Sequence, residues 1–161
     1  MDEIIYRPIG VIHSPFKVRT GTPVQPEGGR GVEGKVEVRE EFAPGLRDLE
    51  GFSHIVLLYH FHDIAAVRLS VKPFLDDEER GVFATRAPTR PNHIGMSVVC
   101  LDRIEGNVLY ISDVDILDGT PLLDIKPHVP HIDCPGEARI GWVEGKAMLY
   151  GELRDDGHFH D

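Results

Sequence analysis

Ten residues in the second half of the chain carry much of its usable chemistry: Arg86-Ala87-Pro88-Thr89-Arg90-Pro91-Asn92-His93-Ile94-Gly95. Pro88 and Pro91 fix their own φ and push the residues before them into extended geometry. Arg86 and Arg90 therefore project from backbone that is ordered in advance. Each arginine presents a planar fork suited to a carboxylate or phosphate. The plainer alternative is a surface turn holding an Arg–Asp pair; the paired prolines favour an organised anion or ligand site. A second cluster runs from Asp115 to Pro127, with Asp118-Gly119-Thr120-Pro121 as a tight turn at its centre. Asp115, Asp118 and Asp124 are candidate proton acceptors or cation partners, although Asp118 alone serves equally well as the acceptor of an Asx-type turn. A third cluster is His54, His60 and His62, at even positions of one β-prone run, with Asp63 next to the last. Two histidines and a carboxylate suit zinc or iron. Hydrogen-bonded histidines lining the polar end of a barrel are the competing reading, and no distant third ligand is signalled by spacing. His158 and His160 repeat the spacing in the tail, where solvated side chains are expected.

Several familiar routes to a nucleotide are missing. There is no Walker A loop, no G-x-G-x-x-G opening a helix after a strand, and no G-x-S-x-G elbow. Gly28-Gly29-Arg30-Gly31 is glycine-rich, but no helical pattern follows it. The formal net charge of −10 argues against a general nucleic-acid binder, which needs a basic surface, and leaves room for a local basic patch or a small-molecule site. No stretch approaches the roughly 18 consecutive apolar residues of a membrane span. The acidic start Met1-Asp2-Glu3 does not resemble a secretory signal. Cys100 and Cys134 are too few for a disulfide framework, so a reducing, cytoplasmic setting is expected.

The elements that must position these clusters read as strands. Lys35 to Arg39 alternates, with Val36 and Val38 on one side, and predicts a half-buried strand. Ser53 to Phe61 is nearly all apolar and predicts a central strand buried on both faces. Gly95–Ile104 and Asn107–Ile116, separated by Glu105-Gly106, predict a hairpin. Ile4–Ile12, interrupted by Arg7-Pro8, predicts an edge or bulged strand. Gly81–Thr85 and Lys146–Leu153 predict shorter strands, and Pro44–Leu49 a single helical turn. The 20-odd residues from Ser14 to Gly34 form a loop too long to be a mere connection. The tail from Asp155 to Asp161 is expected to fray. With 17 glycines and 12 prolines punctuating short runs, the chain predicts one mainly β domain, an open or closed barrel with few short helices.

At these clusters the sequence resembles the TsaA-like family, typified by a tRNA methyltransferase acting on threonylcarbamoyl-adenosine beside the anticodon. The matching blocks, in order, are Ile9-Gly10-Val11-Ile12-His13-Ser14-Pro15-Phe16, Gly51-Phe52-Ser53-His54, Gly81-Val82-Phe83-Ala84-Thr85-Arg86 with Arg90-Pro91-Asn92 and Ile94-Gly95-Met96-Ser97, and Leu117-Asp118-Gly119-Thr120-Pro121 with Asp124-Ile125-Lys126-Pro127. They span about Ile4 to Asp133, which makes 134–161 an extension of a single domain over 1–161. The resemblance implies a small β-barrel that binds S-adenosylmethionine without a Rossmann fold, as a homodimer, and methylates the exocyclic nitrogen of the modified adenosine in tRNA. Carried over by position, it implies donor contacts from Gln25, Pro26, Glu27, His62, Asp63, Arg86, Met96, Asp118, Gly119, Thr120 and Pro121. On the acceptor side it implies Arg90, Asn92 and His128. Asp118, Asp124 or His128 would serve as base, with Lys126 assisting. Arg86, Arg90, Lys126, Arg30 and Lys17 would form the basic patch for tRNA, completed across a dimer. The chain departs from the family pattern at Glu27, Ala87, Thr89, His93 and His128, most of them around the implied substrate rim. A non-catalytic nucleotide-binding module on the same barrel, and a metal enzyme using His60, His62 and Asp63, are the alternatives.

Overall fold

The computed structural model describes residues 2–159. Its strands are β1 (Gly10–His13), β2 (Glu33–Val38), β3 (His54–His60), β4 (Ser70–Val71), β5 (Arg80–Gly81), β6 (Ile94–Glu105), β7 (Val108–Ser112) and β8 (Thr120–Pro127). Six of them close into a barrel in the order β1-β2-β7-β6-β3-β8, while β4 and β5 form a separate two-stranded ribbon. Every neighbouring pair in the barrel is antiparallel, and β1 pairing with β8 closes the ring. The mainly β reading holds, in its closed form.

Period-two alternation explains the local structure. In β2, Val36 and Val38 turn inward at 0% and 1% exposure, while Lys35 and Glu37 face water. The β6–β7 hairpin turns through Gly106-Asn107, with Glu105 opposite Val108. Gly106 has φ +61, a left-handed conformation that glycine adopts without steric cost. The interior is filled by Ile12, Val36, Ile55, Leu57, Val99, Leu109, Ile111 and Leu122.

Five expectations need correction. β3 is not buried on both faces: Ile55, Leu57 and Tyr59 point inward, whereas His54, Val56, Leu58 and His60 lie half-buried on the outer face. A barrel has one interior, so an apolar run in its wall still alternates. Ile4–Ile9 forms no strand; Ile4, Ile5 and Tyr6 are exposed, and β1 begins only after Pro8, which has no N–H to donate. Gly81–Thr85 gives only the end of β5 and then a 3-10 turn, Val82–Ala84. Lys146–Leu153 likewise holds a 3-10 turn, Ala147–Gly151. Short apolar runs with no strand to pair against do not stay extended. The tail does not fray over the described residues. Phe159 is 3% exposed and packs with Val71, Val82, Ala87 and Phe74 in a second small core. His158, expected to be solvated, has its ring nitrogens against two acceptors, Asp156 Oδ1 (2.6 Å) and the Lys72 carbonyl (3.0 Å); His160 lies outside the described residues.

The long loop is tied to this tail. The Gly21 N–H donates to the Asp155 carbonyl (2.7 Å), and the Asp155 N–H donates to that of Thr22 (2.9 Å). Residues 134–159 thus return across the barrel mouth as a strap. Among the described residues no helix is long and apolar enough to cross a membrane.

Leu57 is fully buried in the barrel. Leu57→Ala should cost about 2–5 kcal/mol in urea unfolding, whereas Lys35→Ala on the outer face should change stability by less than about 0.5 kcal/mol.

Candidate active site

A cavity of about 240 Å³ opens where the long loop, the proline-stiffened arginine loop and the strap meet the end of the barrel. Its floor is polar: Tyr59 and Ser97 come from strands, and Asp115 from the segment that joins β7 to β8. Tyr59 on β3 and Ser97 on β6 occupy places that barrel parity would otherwise give to apolar residues. Ser97 Oγ donates to Asp115 Oδ1 at 2.6 Å. That uses its single hydrogen, so the Tyr59 hydroxyl, 2.9 Å away, donates to Ser97. Gly95 lies opposite Tyr59 in the β3–β6 register, and a Cβ there would come within 2.2 Å of the ring. Glycine at 95 is what lets the tyrosine lie flat against β6.

Asp115 is largely enclosed by protein. Burial pushes its carboxyl up from the ordinary carboxylate range to about 7, against the opposing pull of the Ser97 hydrogen bond and the Arg86 charge. Burial together with the nearby Asp115 charge also raises the Tyr59 phenol, which stays neutral.

The cavity walls bring in charge and apolar surface. Arg86 Nη1 donates to Gln25 Oε1 at 3.1 Å, joining the arginine loop to the long loop. Arg19 forks onto Asp63, with Nε to Oδ2 at 2.8 Å, and its guanidinium lies 5.4 Å from the centre of the Phe61 ring. Met96 reaches the cavity from β6, and Trp142, Tyr150 and Phe159 reach it from the strap. The Trp142 indole N–H donates to the Ala84 carbonyl at 2.7 Å and pins the strap beside the arginine loop.

The residues singled out from the sequence divide into two groups. Gln25, Arg86, Arg90 and Met96 meet at the cavity. The two arginines differ, however. Arg90 turns Nη1 onto its own loop, donating to the carbonyls of Thr85 (3.0 Å) and Ala87 (3.1 Å). It holds the loop in shape, while Arg86 reaches outward. Pro26 and Glu27 form a 3-10 turn beside the strap, close to Gly151. Asp63 stands behind the wall as the partner of Arg19, while His62 and Asn92 are exposed and do not line the cavity.

The Asp118–Pro121 turn lies outside the cavity of its own chain. Asp118 accepts from Lys17 Nζ (2.7 Å) and the Ser14 N–H (3.0 Å), and these bonds, the lysine first, hold its carboxyl below the usual range. The Gly119 N–H donates to the Ile12 carbonyl, and Thr120 Oγ1 to that of Leu117. Asp124 and Lys126 pair with each other at 2.9 Å on the outer barrel face. His128 sits against Asp133 (3.0 Å) and His54. Lys17 and Lys126 are therefore each matched to an aspartate. As for metal, Asp63 is engaged by Arg19, and no group of three or more His, Cys, Asp or Glu side chains that could hold an ion exists among the described residues.

Arg19, Tyr59, Ser97 and the strap aromatics were not among the expected site residues. Tyr59 and Ser97 had a signal, being polar groups at inward parity. Trp142 and Tyr150 had none, since their place depends on the strap's path.

Comparison with known proteins bears on the same region. The family model described as the tRNA-methyltransferase O N-terminal domain matches residues 11–134. A probable S-adenosyl-L-methionine-binding protein of Pyrococcus abyssi is 56% identical over 97% of this chain and 85% of its own length. The mouse tRNA (adenine(37)-N6)-methyltransferase is 37% identical over 82% of this chain, which spans only 32% of that protein. The crystal structure of TrmO from Pseudomonas aeruginosa superposes with a TM-score of 0.73 at 40% identity, covering 87% of this chain and 62% of that one. On the match of its barrel and both loops, the chain belongs to the tRNA-methyltransferase O family.

Proposed function

We propose that the chain binds S-adenosylmethionine in the cavity and transfers its methyl group to the exocyclic nitrogen of threonylcarbamoyl-adenosine beside the tRNA anticodon. One observation carries this reading. Gln25, Arg86 and Met96, three residues that the family resemblance gives to the methyl donor, converge on a single cavity from separate elements. Relatives named as S-adenosyl-L-methionine-binding proteins and as a tRNA (adenine(37)-N6)-methyltransferase support it.

The donor set fits the ligand. Arg86 offers a charged fork, and its hydrogen-bond partner Gln25 is neutral, so among the described residues no bonded carboxylate cancels its charge. That fork suits the donor's carboxylate. Phe61, Met96 and Trp142 supply apolar wall for its nucleoside part. At about 240 Å³ the cavity is just under the roughly 300–1,000 Å³ of drug-sized sites, so a nucleoside-sized ligand fills it and extends to its mouth. When bound, the sulfonium supplies an already activated methyl group. The chain's task is then alignment and proton management. Arg90 keeps the loop in register so that Arg86 stays aimed, and Gly95 and Tyr59 fix the floor. The carbamoyl-substituted nitrogen is a poor nucleophile until it loses its proton, so a base at the site is required.

The reading includes a homodimer acting in the cytoplasm. The Asp118–Pro121 turn, which the resemblance also gives to the donor, lies outside the cavity of its own chain, and a second copy is what would bring it to a shared site.

The deciding experiment is incubation with methyl-labelled S-adenosylmethionine and tRNA that carries threonylcarbamoyl-adenosine but lacks its methyl group. Label should appear in that tRNA and not in tRNA lacking the threonylcarbamoyl group; donor binding with no transfer to any RNA would instead favour the non-catalytic module. In calorimetry, Arg86→Ala should weaken donor binding at least about tenfold, the loss of one charge-assisted hydrogen bond, and wild-type affinity would remove Arg86 from the site. Affinity for tRNA should fall steeply between about 50 and 200 mM salt; a flat response would point to a small-molecule acceptor.

A further inference from the structure

The proposed reaction needs a proton acceptor, and the residues put forward for it from the sequence stand elsewhere. Asp118 and Asp124 are outside the cavity, and each is hydrogen-bonded to a lysine, at 2.7 and 2.9 Å. His128 is beside Asp133 and His54. Among the described residues two carboxylates line the cavity, Asp115 and Asp155. Asp155 is built into the strap: its Oδ1 accepts from the Gly157 N–H (2.7 Å), its Oδ2 lies 3.8 Å from Arg19, and its backbone bonds the long loop. Asp115 differs. Its side-chain partner is a neutral hydroxyl, Ser97, and among the described residues no Lys, Arg or His pairs with it, although the Arg86 charge acts on it.

Resting on the methyl-transfer reading, we propose that Asp115 is the base that takes the proton from the acceptor nitrogen, with Ser97 and Tyr59 as its positioning residues. The balance is simple. The N–H proton passes to the Asp115 carboxylate, and the electron pair left on nitrogen forms the new N–CH₃ bond. The S–CH₃ bond breaks with its pair going to sulfur, which turns the sulfonium into a neutral thioether. Asp115 ends as a neutral acid and returns its proton to solvent once product leaves. No further reactant is needed. Ser97 holds one carboxyl oxygen at 2.6 Å, and Tyr59 holds Ser97, so the carboxyl keeps one orientation.

The groups facing Asp115 set its working range. Arg86 from the arginine loop and the Tyr59 phenol from β3 act on it directly, and Arg19, Arg90, Tyr150 and Asp155 line the same cavity. Burial outweighs the Arg86 charge and leaves the carboxyl titrating at about 7. A base works only when ionised, so turnover should climb as pH rises through about 7 and then level off. Stability should run the other way. The folded state holds this proton up to about pH 7, whereas the unfolded chain releases it near the ordinary aspartate value of about 4. Between those values the folded state binds more protons, so its stability should fall as pH rises.

The test compares wild type with Asp115→Asn and Asp115→Glu. It uses methyl-labelled S-adenosylmethionine and threonylcarbamoyl-bearing tRNA from about pH 5.5 to about 8.5, with donor affinity measured separately by calorimetry. Asp115→Asn should lower kcat about 10²–10⁴-fold while donor affinity stays within about twofold. Its melting temperature should lose the fall seen in wild type between about pH 4 and about 7. Asp115→Glu should recover part of the turnover with a displaced pH limb. Near-normal kcat in Asp115→Asn overturns the assignment, as does an unchanged pH limb or a loss of donor affinity that accounts for the whole loss of turnover. Wild type that binds donor yet methylates no tRNA overturns the underlying reading and the base with it. Active wild type beside active Asp115→Asn overturns the base alone.

Discussion

Hydrogen bonding between β1 and β8 turns an open sheet into a ring, and the rest of the molecule answers to that closure. A ring of strands has no free edge to cover and only one interior. Each strand residue is therefore either inside or outside, and the interior is lined by Ile, Val and Leu. A polar side chain placed inside must find a partner there or cost the full penalty of desolvation. Tyr59, Ser97 and Asp115 meet that demand by bonding to one another, and in doing so they concentrate at one end of the barrel. The polar floor of the cavity is thus a product of the same rule that makes the core apolar.

The placement of charge follows a comparable logic. An acidic chain has aspartates to spare, and several cations are taken up by them: Lys17 by Asp118, Lys126 by Asp124, Arg19 by Asp63. Arg90 is engaged by carbonyls of its own loop. Arg86 bonds a neutral amide instead. Of the three arginines lining the cavity, Arg86 is thus the fork left on a neutral partner, which suits recognition of a single anionic group inside it.

Much of this was readable in the residues, and the failures share a cause. The alternation of Lys35–Val38 and the glycine turn at Gly106 are local facts and came through as a strand and a hairpin, although the hairpin turns at Gly106-Asn107 and its second strand stops at Ser112 rather than Ile116. Arg86, Gln25 and Met96 were reached through family resemblance, and the cavity unites them. Gly81–Thr85 and Lys146–Leu153 misled because a short apolar run carries no period of its own; what decides it is whether a neighbouring strand is there to pair. The burial of Phe159 depends on Phe74 and Val82, both far away in sequence, so polarity counts at the tail pointed the wrong way. Tyr59 and Ser97 were visible as types but not as a pair. Their meeting requires the β3–β6 register that places Tyr59 opposite Gly95. Asp118 is the reverse case: its turn was plain from composition, while its position relative to the cavity depends on the packing of β1 against β8.

Trp142 is the one tryptophan in 161 residues, and it stands on the cavity wall. Its indole is held by the Ala84 carbonyl and flanked by the Arg80 and Lys146 cations at 5.9 and 6.0 Å from the ring centre. All indole fluorescence from the protein therefore originates at this one place, in a defined electric field. The molecule carries its own optical probe: a change in the colour or brightness of indole emission when a small molecule is added reports what happens at that wall, without a dye.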